Sequence, residues 1–330
     1  MNETEGKKRA EDFRSLFKKM RERLHRTIIG QDRVVDEALI ALFAGGHVLL
    51  EGVPGLGKTL LAKSLAHCVG GDFSRIQFTP DLMPADITGT NLLVEDVDGR
   101  RHFEFQAGPI FSNLLLADEI NRATPKTQSA LLEAMQEGKV SVNGVSRVLE
   151  KPFLVFATQN PIEMEGTYPL PEAQVDRFMF KILVPFPTED EIRKILNVTT
   201  GTHGEDLSSL LSSPTDLLEC HQFVRELLVP EEIEKCAAQI LLATHPESPL
   251  ASAEIKKFIR YGVSPRGGQA LLLGAKVEAL LAGRFHVAKE DLRKVSLPAL
   301  RHRILLNFEG EADGISTDEI IKKVVENILT

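Results

Sequence analysis

The stretch Gly52-Val53-Pro54-Gly55-Leu56-Gly57-Lys58-Thr59 decides how this chain is read. It fits the pattern G-x-x-x-x-G-K-[ST], whose glycines let backbone N–H groups surround phosphate oxygens. The helix that follows such a loop adds partial positive charge at the same place. Lys58 is then expected to reach the β and γ phosphates of a nucleotide, and Thr59 to ligate Mg²⁺. The pattern carries meaning only between a strand and a helix. An apolar run from His47 to Leu50 precedes it, and a helical pattern carrying Leu60, Leu61, Leu65 and Ala66 follows.

Working outward, four more apolar runs have the same texture: Ile76–Phe78, Leu114–Ala117, Phe153–Ala157 and Phe178–Val184. They are short, nearly continuous and separated by helical or turn segments, as strands buried on both faces of a parallel sheet are. Two hairpins interrupt the alternation. Leu92–Val97 and Arg100–Phe105 flank Asp98-Gly99, and Val140–Val142 and Val145–Leu149 flank Asn143-Gly144; each dipeptide suits a two-residue type I′ turn. Upstream, residues 8–26 form an amphipathic surface helix with a stripe of Phe13, Leu16, Phe17, Met20 and Leu24. A second helix, with Asp32 as its N-cap, ends at Gly45-Gly46. Beyond Pro187 the periods turn helical, beginning with the capping box Thr188-x-x-Glu191. The expected division is an α/β core over residues 1–187 and an α-helical domain over 188–330.

Ligands of an open α/β sheet sit beyond the carboxyl ends of its strands. The run Leu114–Ala117 leads there into Asp118 and Glu119. Asp118 is placed to hold Mg²⁺, and Glu119 to orient and activate a water for attack on a γ-phosphate. Phe153–Thr158 runs into Gln159-Asn160-Pro161, which puts the neutral amide of Asn160 at a third strand end, against the water or the γ-phosphate. Arg177 has two readings: an ion pair with Asp176 or Glu172, or a cation acting on a neighbouring copy's γ-phosphate. Ser264-Pro265 reads as N-cap and first residue of a long helix, so Arg266 lies in a first turn whose dipole it opposes. Broken local rules concentrate at functional sites, and a lid arginine reaching the phosphates fits.

Composition narrows the field. Of 330 residues 47 are acidic and 39 basic, a net charge of −8, with 43% hydrophobic and 26% charged residues. Those values match a soluble globular protein with a sizeable core and exclude disordered, collagen-like and low-complexity chains. Up to Pro187 there are 22 basic and 25 acidic residues, and beyond it 17 and 22, so neither part is a basic nucleic-acid-binding domain. Only Arg100, Arg101 and Arg147 at the hairpins offer such contacts, the basis for an alternative reading as a nucleic-acid motor or loader. Cys68, Cys220 and Cys236 are widely spaced with no C-x-x-C pair, as free thiols in a reducing compartment are. Charges at Lys7, Lys8, Arg9, Glu11 and Asp12 argue against a signal peptide, and no apolar run is long enough to span a bilayer; the expected location is cytoplasmic.

Taken together these residues resemble the AAA+ ATPases, and within them the MoxR family. The resemblance covers most of the chain. It is strongest at Ile29-Gly30-Gln31, the phosphate loop, Gly108-Pro-Ile-Phe111, Asp118-Glu-Ile-Asn-Arg122, Gln128-Ser-Ala-Leu-Leu-Glu133, Ala157-Thr-Gln-Asn160, Asp176-Arg-Phe178, Ser264-Pro-Arg266 and Leu300-Arg-His-Arg-Ile304. It implies an αβα core with strand order 5-1-4-3-2 and a helical lid. Gly52 to Leu60 would be Walker A, and Asp118 and Glu119 Walker B. Asn160 would be sensor 1, Arg177 the arginine finger with Arg122 as the other candidate, and Arg266 sensor 2. Ile29, Gly30 and Gln31 would line the adenine pocket, and the hairpins would be the helix-2 and pre-sensor-1 inserts. The resemblance further implies Mg²⁺-dependent ATP hydrolysis in a homo-hexameric ring that remodels or matures protein clients, often with a von Willebrand factor A-domain partner. Arg301 and Arg303 stay between a contact with a neighbouring copy and a place on the lid surface. Pro80-Asp-Leu-Met-Pro84 lacks the aromatic residue of an unfoldase pore loop, which points to remodelling or metal insertion rather than processive threading.

Overall fold

The computed structural model describes residues 3–161, 166–200 and 209–330. It opens with α1 (Glu3–Thr27) and α2 (Asp32–Ala44). The predicted stripe of α1 is core: Phe13, Phe17, Met20 and Leu24 are buried. Phe13 and Phe17 meet Phe43 of α2 with ring centroids 5.0 and 5.3 Å apart. The N-cap of α2 is Gln31 rather than Asp32, which sits one residue inside, where its carboxylate still suits the helix dipole. Gly45, at φ 75°, ends the helix as expected.

The core then runs β1 (Val48–Glu51), α3 (Lys58–Val69), β2 (Phe73–Gln77), α4 (Pro84–Thr88) and the hairpin β3 (Gly89–Glu95) and β4 (Arg101–Ala107). It continues through β5 (Leu114–Asp118), a 3₁₀ turn at Ile120–Arg122, α5 (Pro125–Glu137) and the hairpin β6 (Lys139–Val142) and β7 (Val145–Val148). It closes with β8 (Leu154–Gln159), α6 (Glu172–Val175) and β9 (Phe180–Leu183). Five of these strands form one parallel sheet in the order β2-β5-β8-β1-β9. Numbered among themselves they read 5-1-4-3-2, as the family resemblance implied.

Alternation along the strands divides the core between the two faces. Val48, Leu50, Leu114, Leu116, Leu154, Phe156, Phe180 and Ile182 pack on the side of α1, α2 and α3. Leu49, Leu115, Ala117, Val155 and Ala157 pack on the side of α5. Both faces are dry, which is why these strands read as unbroken apolar runs.

The two hairpins close differently. Asn143 (φ 51°) and Gly144 (φ 80°) both take the left-handed conformation between the paired Val142 and Val145, so the predicted two-residue turn forms. In the first hairpin the last pair is Glu95 with Arg101, and five residues make the turn. The carbonyl of Asp96 accepts from Gly99 N–H at 2.9 Å, and only Gly99 (φ 73°) is left-handed.

Beyond β9 the described chain is helical apart from one short antiparallel pair. It comprises α7 (Glu189–Thr199), α8 (Asp216–Glu226), α9 (Glu231–Ala243), α10 (Ala253–Phe258), β10 (Ile259–Tyr261) and α11 (Pro265–Leu281). Then come α12 (Lys289–Leu300), β11 (Leu305–Leu306), α13 (Phe308–Ala312) and α14 (Thr317–Leu329). The box opening α7 is present: Glu191 accepts from Thr188 N–H at 2.7 Å. Arg301, His302 and Arg303 are neither lid surface nor exposed to a neighbour. All three are buried, and each reaches back to main chain at the start of β9. Arg301 grips Asp318 at 2.7 and 2.9 Å and donates to the Lys181 carbonyl at 3.1 Å.

Candidate functional site

The phosphate loop leaves β1, an interior strand between β8 and the edge strand β9. Gly55 (φ 82°) and Gly57 (φ 78°) are left-handed, with nothing within 4 Å of where a Cβ would stand, so glycine is required there by conformation and not by space. Gly52 is different: a Cβ there would come within 2.8 Å of the Val184 carbonyl. Lys58 opens α3, and its ammonium donates to the carbonyls of Gly52 and Val53. Partial burial lowers the Lys58 pKa, and the negative charges of Asp118, Glu119 and Glu51 oppose that shift. The lysine and both predicted carboxylates therefore share one electrostatic neighbourhood.

Asp118 ends β5 and is buried; its Oδ1 accepts from Thr158 Oγ1 at 2.6 Å. Its Oδ2 is held by Arg75 at 2.7 and 3.2 Å. Glu119 follows with φ 55°, a conformation that costs a non-glycine residue free energy and points to function. Its N–H donates to Thr158 Oγ1 at 2.8 Å, and its carboxylate accepts from Gln77 at 2.8 Å and Arg122 at 2.9 Å. Strand register pairs Glu51 with Gln159, so buried Asn160 stands level with Gly52 at the loop's start. The carboxyl ends of β1, β5 and β8 thus gather Lys58, Asp118, Glu119 and Asn160, as predicted. Beside them is a cavity of about 190 Å³ lined by Ile29, Gln31, Leu60, Pro187, Ile195 and Val198. Gln31 is fixed there by donating to the Leu56 carbonyl at 3.0 Å. Its mostly apolar walls suit a flat heteroaromatic base.

Comparison with known proteins identifies the family. The model of the ATPase family associated with various cellular activities (AAA) matches residues 47–180, and that of the AAA lid domain matches residues 251–324. Chaperone MoxR1 of Mycobacterium tuberculosis is 44% identical over 303 residues, 92% of this chain and 79% of the relative. YeaC of Bacillus subtilis is 40% identical over 96% of both chains, and protein MoxR of Paracoccus denitrificans is 32% identical over 90% of both. A solved structure of a Cytophaga hutchinsonii protein, 40% identical, superposes with a TM-score of 0.89 over 98% of this chain and 97% of that one. The chain belongs to the MoxR family of AAA+ ATPases.

Within one MoxR chain the other two predicted arginines do not join Lys58. Arg177 and Arg266 line a separate cleft of about 220 Å³, together with His47, Gln136 and Met179. His47 precedes β1 and Met179 precedes β9, so this cleft lies at the amino ends of the strands. The phosphate loop lies at the carboxyl ends, about 13 Å of strand away. Arg177 makes neither predicted ion pair: Asp176 pairs with Arg303 and Arg266, and Glu172 with Arg260. Arg177 Nε is buried without a partner among the described residues. Arg122, the other candidate finger, is engaged with Glu119 of its own chain.

Four contacts in this MoxR site escape a reading of the sequence: Arg75, Gln77 and Thr158, and the in-chain role of Arg122. Thr158 carried a signal, as a hydroxyl following the apolar run of β8, one residue before its end. Arg75 and Gln77 alternate along an edge strand and look like ordinary solvent-facing residues until the register pairs Gln77 with Asp118. Of the alternative nucleic-acid contacts, Arg101 is paired with Glu95 at 3.0 Å, and Arg147 lies over the Phe105 ring at 3.5 Å. No helix among the described residues is long and apolar enough to cross a membrane.

Proposed function

We propose that this MoxR-type chain hydrolyses ATP with Mg²⁺ at a site completed by a second copy, and uses the cycle to remodel protein partners. The observation that carries the reading is the distribution of the site over both ends of one sheet. Lys58, Asp118, Glu119 and Asn160 stand at the carboxyl ends, and Arg177 and Arg266 at the amino ends. In this arrangement the halves meet between copies packed head to tail, which form a ring where the rotation between copies closes.

Gly52 to Thr59 would cradle the triphosphate, and Ile29, Gly30, Gln31 and Leu60 the adenine. Thr59 and Asp118 would hold Mg²⁺, which supplies charge neutralisation on the β and γ phosphates when bound. Their hard oxygen donors fit that ion, and no cluster of three or more metal-ligating His, Cys, Asp or Glu residues occurs among the described residues. One protein carboxylate plus nucleotide and water is the usual Mg²⁺ environment. Glu119 acts as the base that orients water, steadied by Gln77 and Arg122. Asn160 polarises the same water.

The reading extends to a homo-hexameric ring, as the family resemblance implies, with the core over 1–187 and a helical lid over 188–330. The β3–β4 hairpin supports a protein partner, such as a von Willebrand factor A-domain protein or a client. Leu93 and Phe103, paired across the hairpin, are 58% and 73% exposed. Three free cysteines, two of them buried, suit a cytoplasmic location. Steady-state ATP turnover of Glu119→Gln tests the chemistry. The variant is expected to bind nucleotide and lose turnover by about 10²-fold or more. Wild-type turnover would remove Glu119 from the mechanism.

A further inference from the structure

Arg303 is held more completely than a packing role requires. Its side chain is 2% exposed. Nε donates to Asp176 Oδ1 at 2.7 Å, and Nη2 donates to the carbonyls of Asp176 at 2.9 Å and Phe178 at 2.7 Å. Nη1 donates to the carbonyls of Met179 at 3.2 Å and of Ala299. One guanidinium thus holds the main chain on both sides of Arg177. His302 adds a contact with the Phe178 carbonyl at 3.1 Å.

Asp176 carries the connection across to the helical part. Its Oδ1 also accepts from Ser264 Oγ at 2.8 Å, and its Oδ2 faces Arg266 at 3.7 Å. Ser264 does not cap α11 with its side chain; it spends its hydroxyl on Asp176 instead. The segment bearing Arg177 and the first turn of α11 bearing Arg266 are therefore joined through one carboxylate. Among the described residues, Asp176 is also the single acidic side chain lining the cleft of Arg177, Arg225, Arg266 and Arg303. Without it, four like charges would share that space and push the two projecting arginines apart.

We propose that Asp176, clamped by Arg303 and Ser264, is a positioning residue that sets Arg177 and Arg266 as one rigid pair presented to a neighbouring copy's nucleotide. This rests on the reading that those arginines act between copies. It predicts that the position of α11 and the position of Arg177 change together, so that a shift of the helical part withdraws both cations at once.

The test is a subunit-mixing experiment with full-length chains. Asp176→Asn keeps the shape and removes the charge. Its turnover is expected to fall roughly tenfold or more, since small misplacements of catalytic groups have large effects, with the affinity for a fluorescent ATP analogue unchanged. Mixing it with Glu119→Gln, which has an intact Asp176, should restore turnover, because the phosphate loop of one then faces the arginine pair of the other. A merely local structural role would not be complemented in this way. Arg177→Ala mixed with Glu119→Gln is the reference. If that mixture shows no recovery, the inter-copy reading itself fails. If it recovers and Asp176→Asn does not, the positioning role alone is wrong. Wild-type turnover of Asp176→Asn also overturns the proposal. Should Asp176→Asn not fold, Ser264→Ala decides: a loss of turnover complemented by Glu119→Gln supports the clamp, and the wild-type rate refutes it.

Discussion

Replacing Arg75 with methionine should make the nucleotide site bind Mg²⁺ more tightly. Arg75 holds Asp118 Oδ2 at 2.7 Å, on the residue proposed to carry the metal. A guanidinium there lies on the order of 5 Å from a dication held by the same carboxylate, and a half-exposed side chain calls for an effective dielectric nearer water than dry protein. The repulsion is then on the order of 1–3 kcal/mol, and its lower part corresponds to about a tenfold change in affinity. Methionine keeps the apolar stem and suits an edge strand, so the sheet should survive. The assay is Mg²⁺ titration of a fluorescent ATP analogue bound to each protein. Half-saturation should fall about tenfold in the variant. An unchanged midpoint, or a rise, would refute the argument that Arg75 and the metal compete for Asp118.

Other perturbations have equally definite outcomes. Lys58→Ala should abolish binding of the same analogue, because it removes the only full positive charge in the loop. Asp291 is fully buried, grips Arg284 at 2.7 Å with each oxygen and accepts from Ala288 N–H at 2.8 Å. Asp291→Ala removes these bonds but leaves Arg284 paired with Glu290 at 2.7 Å, and should lower unfolding stability in urea by about 1–3 kcal/mol. His47 is lowered to about 4 by burial, with Nδ1 accepting from Val155 N–H at 3.0 Å. A depressed base binds fewer protons folded than unfolded. Its contribution to stability is therefore complete above pH 6.5 and is lost as pH falls from 6.5 towards 4. His302 is depressed in the same direction by burial, so His47→Gln should flatten this decline in denaturation experiments without removing it.

How much of this was legible in the sequence depends on the range of the interaction. The strands were legible because both sheet faces are dry, which leaves Leu114 to Ala117 with no polar position to interrupt them. The turn at Asn143-Gly144 was legible because two left-handed residues suffice to close it. The turn at Asp98-Gly99 was misjudged by its length: the dipeptide does not show that the Asp96 carbonyl would accept from Gly99 and lengthen the loop. Asp118, Glu119 and Asn160 were legible because each is fixed by its place at a strand end, and Lys58 by its place where the glycine-rich loop opens α3. Their partners were not. Arg75 lies 43 residues from Asp118, and Arg303 lies 127 residues from Asp176. No local pattern records such a pairing. Arg266 stands out in the sequence as a residue out of place by local rules, yet the dipole argument does not say which end of the sheet it occupies.

The central claim is that hydrolysis needs two copies, one giving Lys58, Asp118 and Glu119 and the other giving Arg177. The most direct measurement is ATP turnover in mixtures of Arg177→Ala and Glu119→Gln, each inactive alone. Random mixing in equal amounts makes about one interface in four complete in a head-to-tail ring. The account predicts turnover that rises to a maximum near equal proportions. Absence of turnover at every ratio, with both variants folded and binding nucleotide, would contradict it.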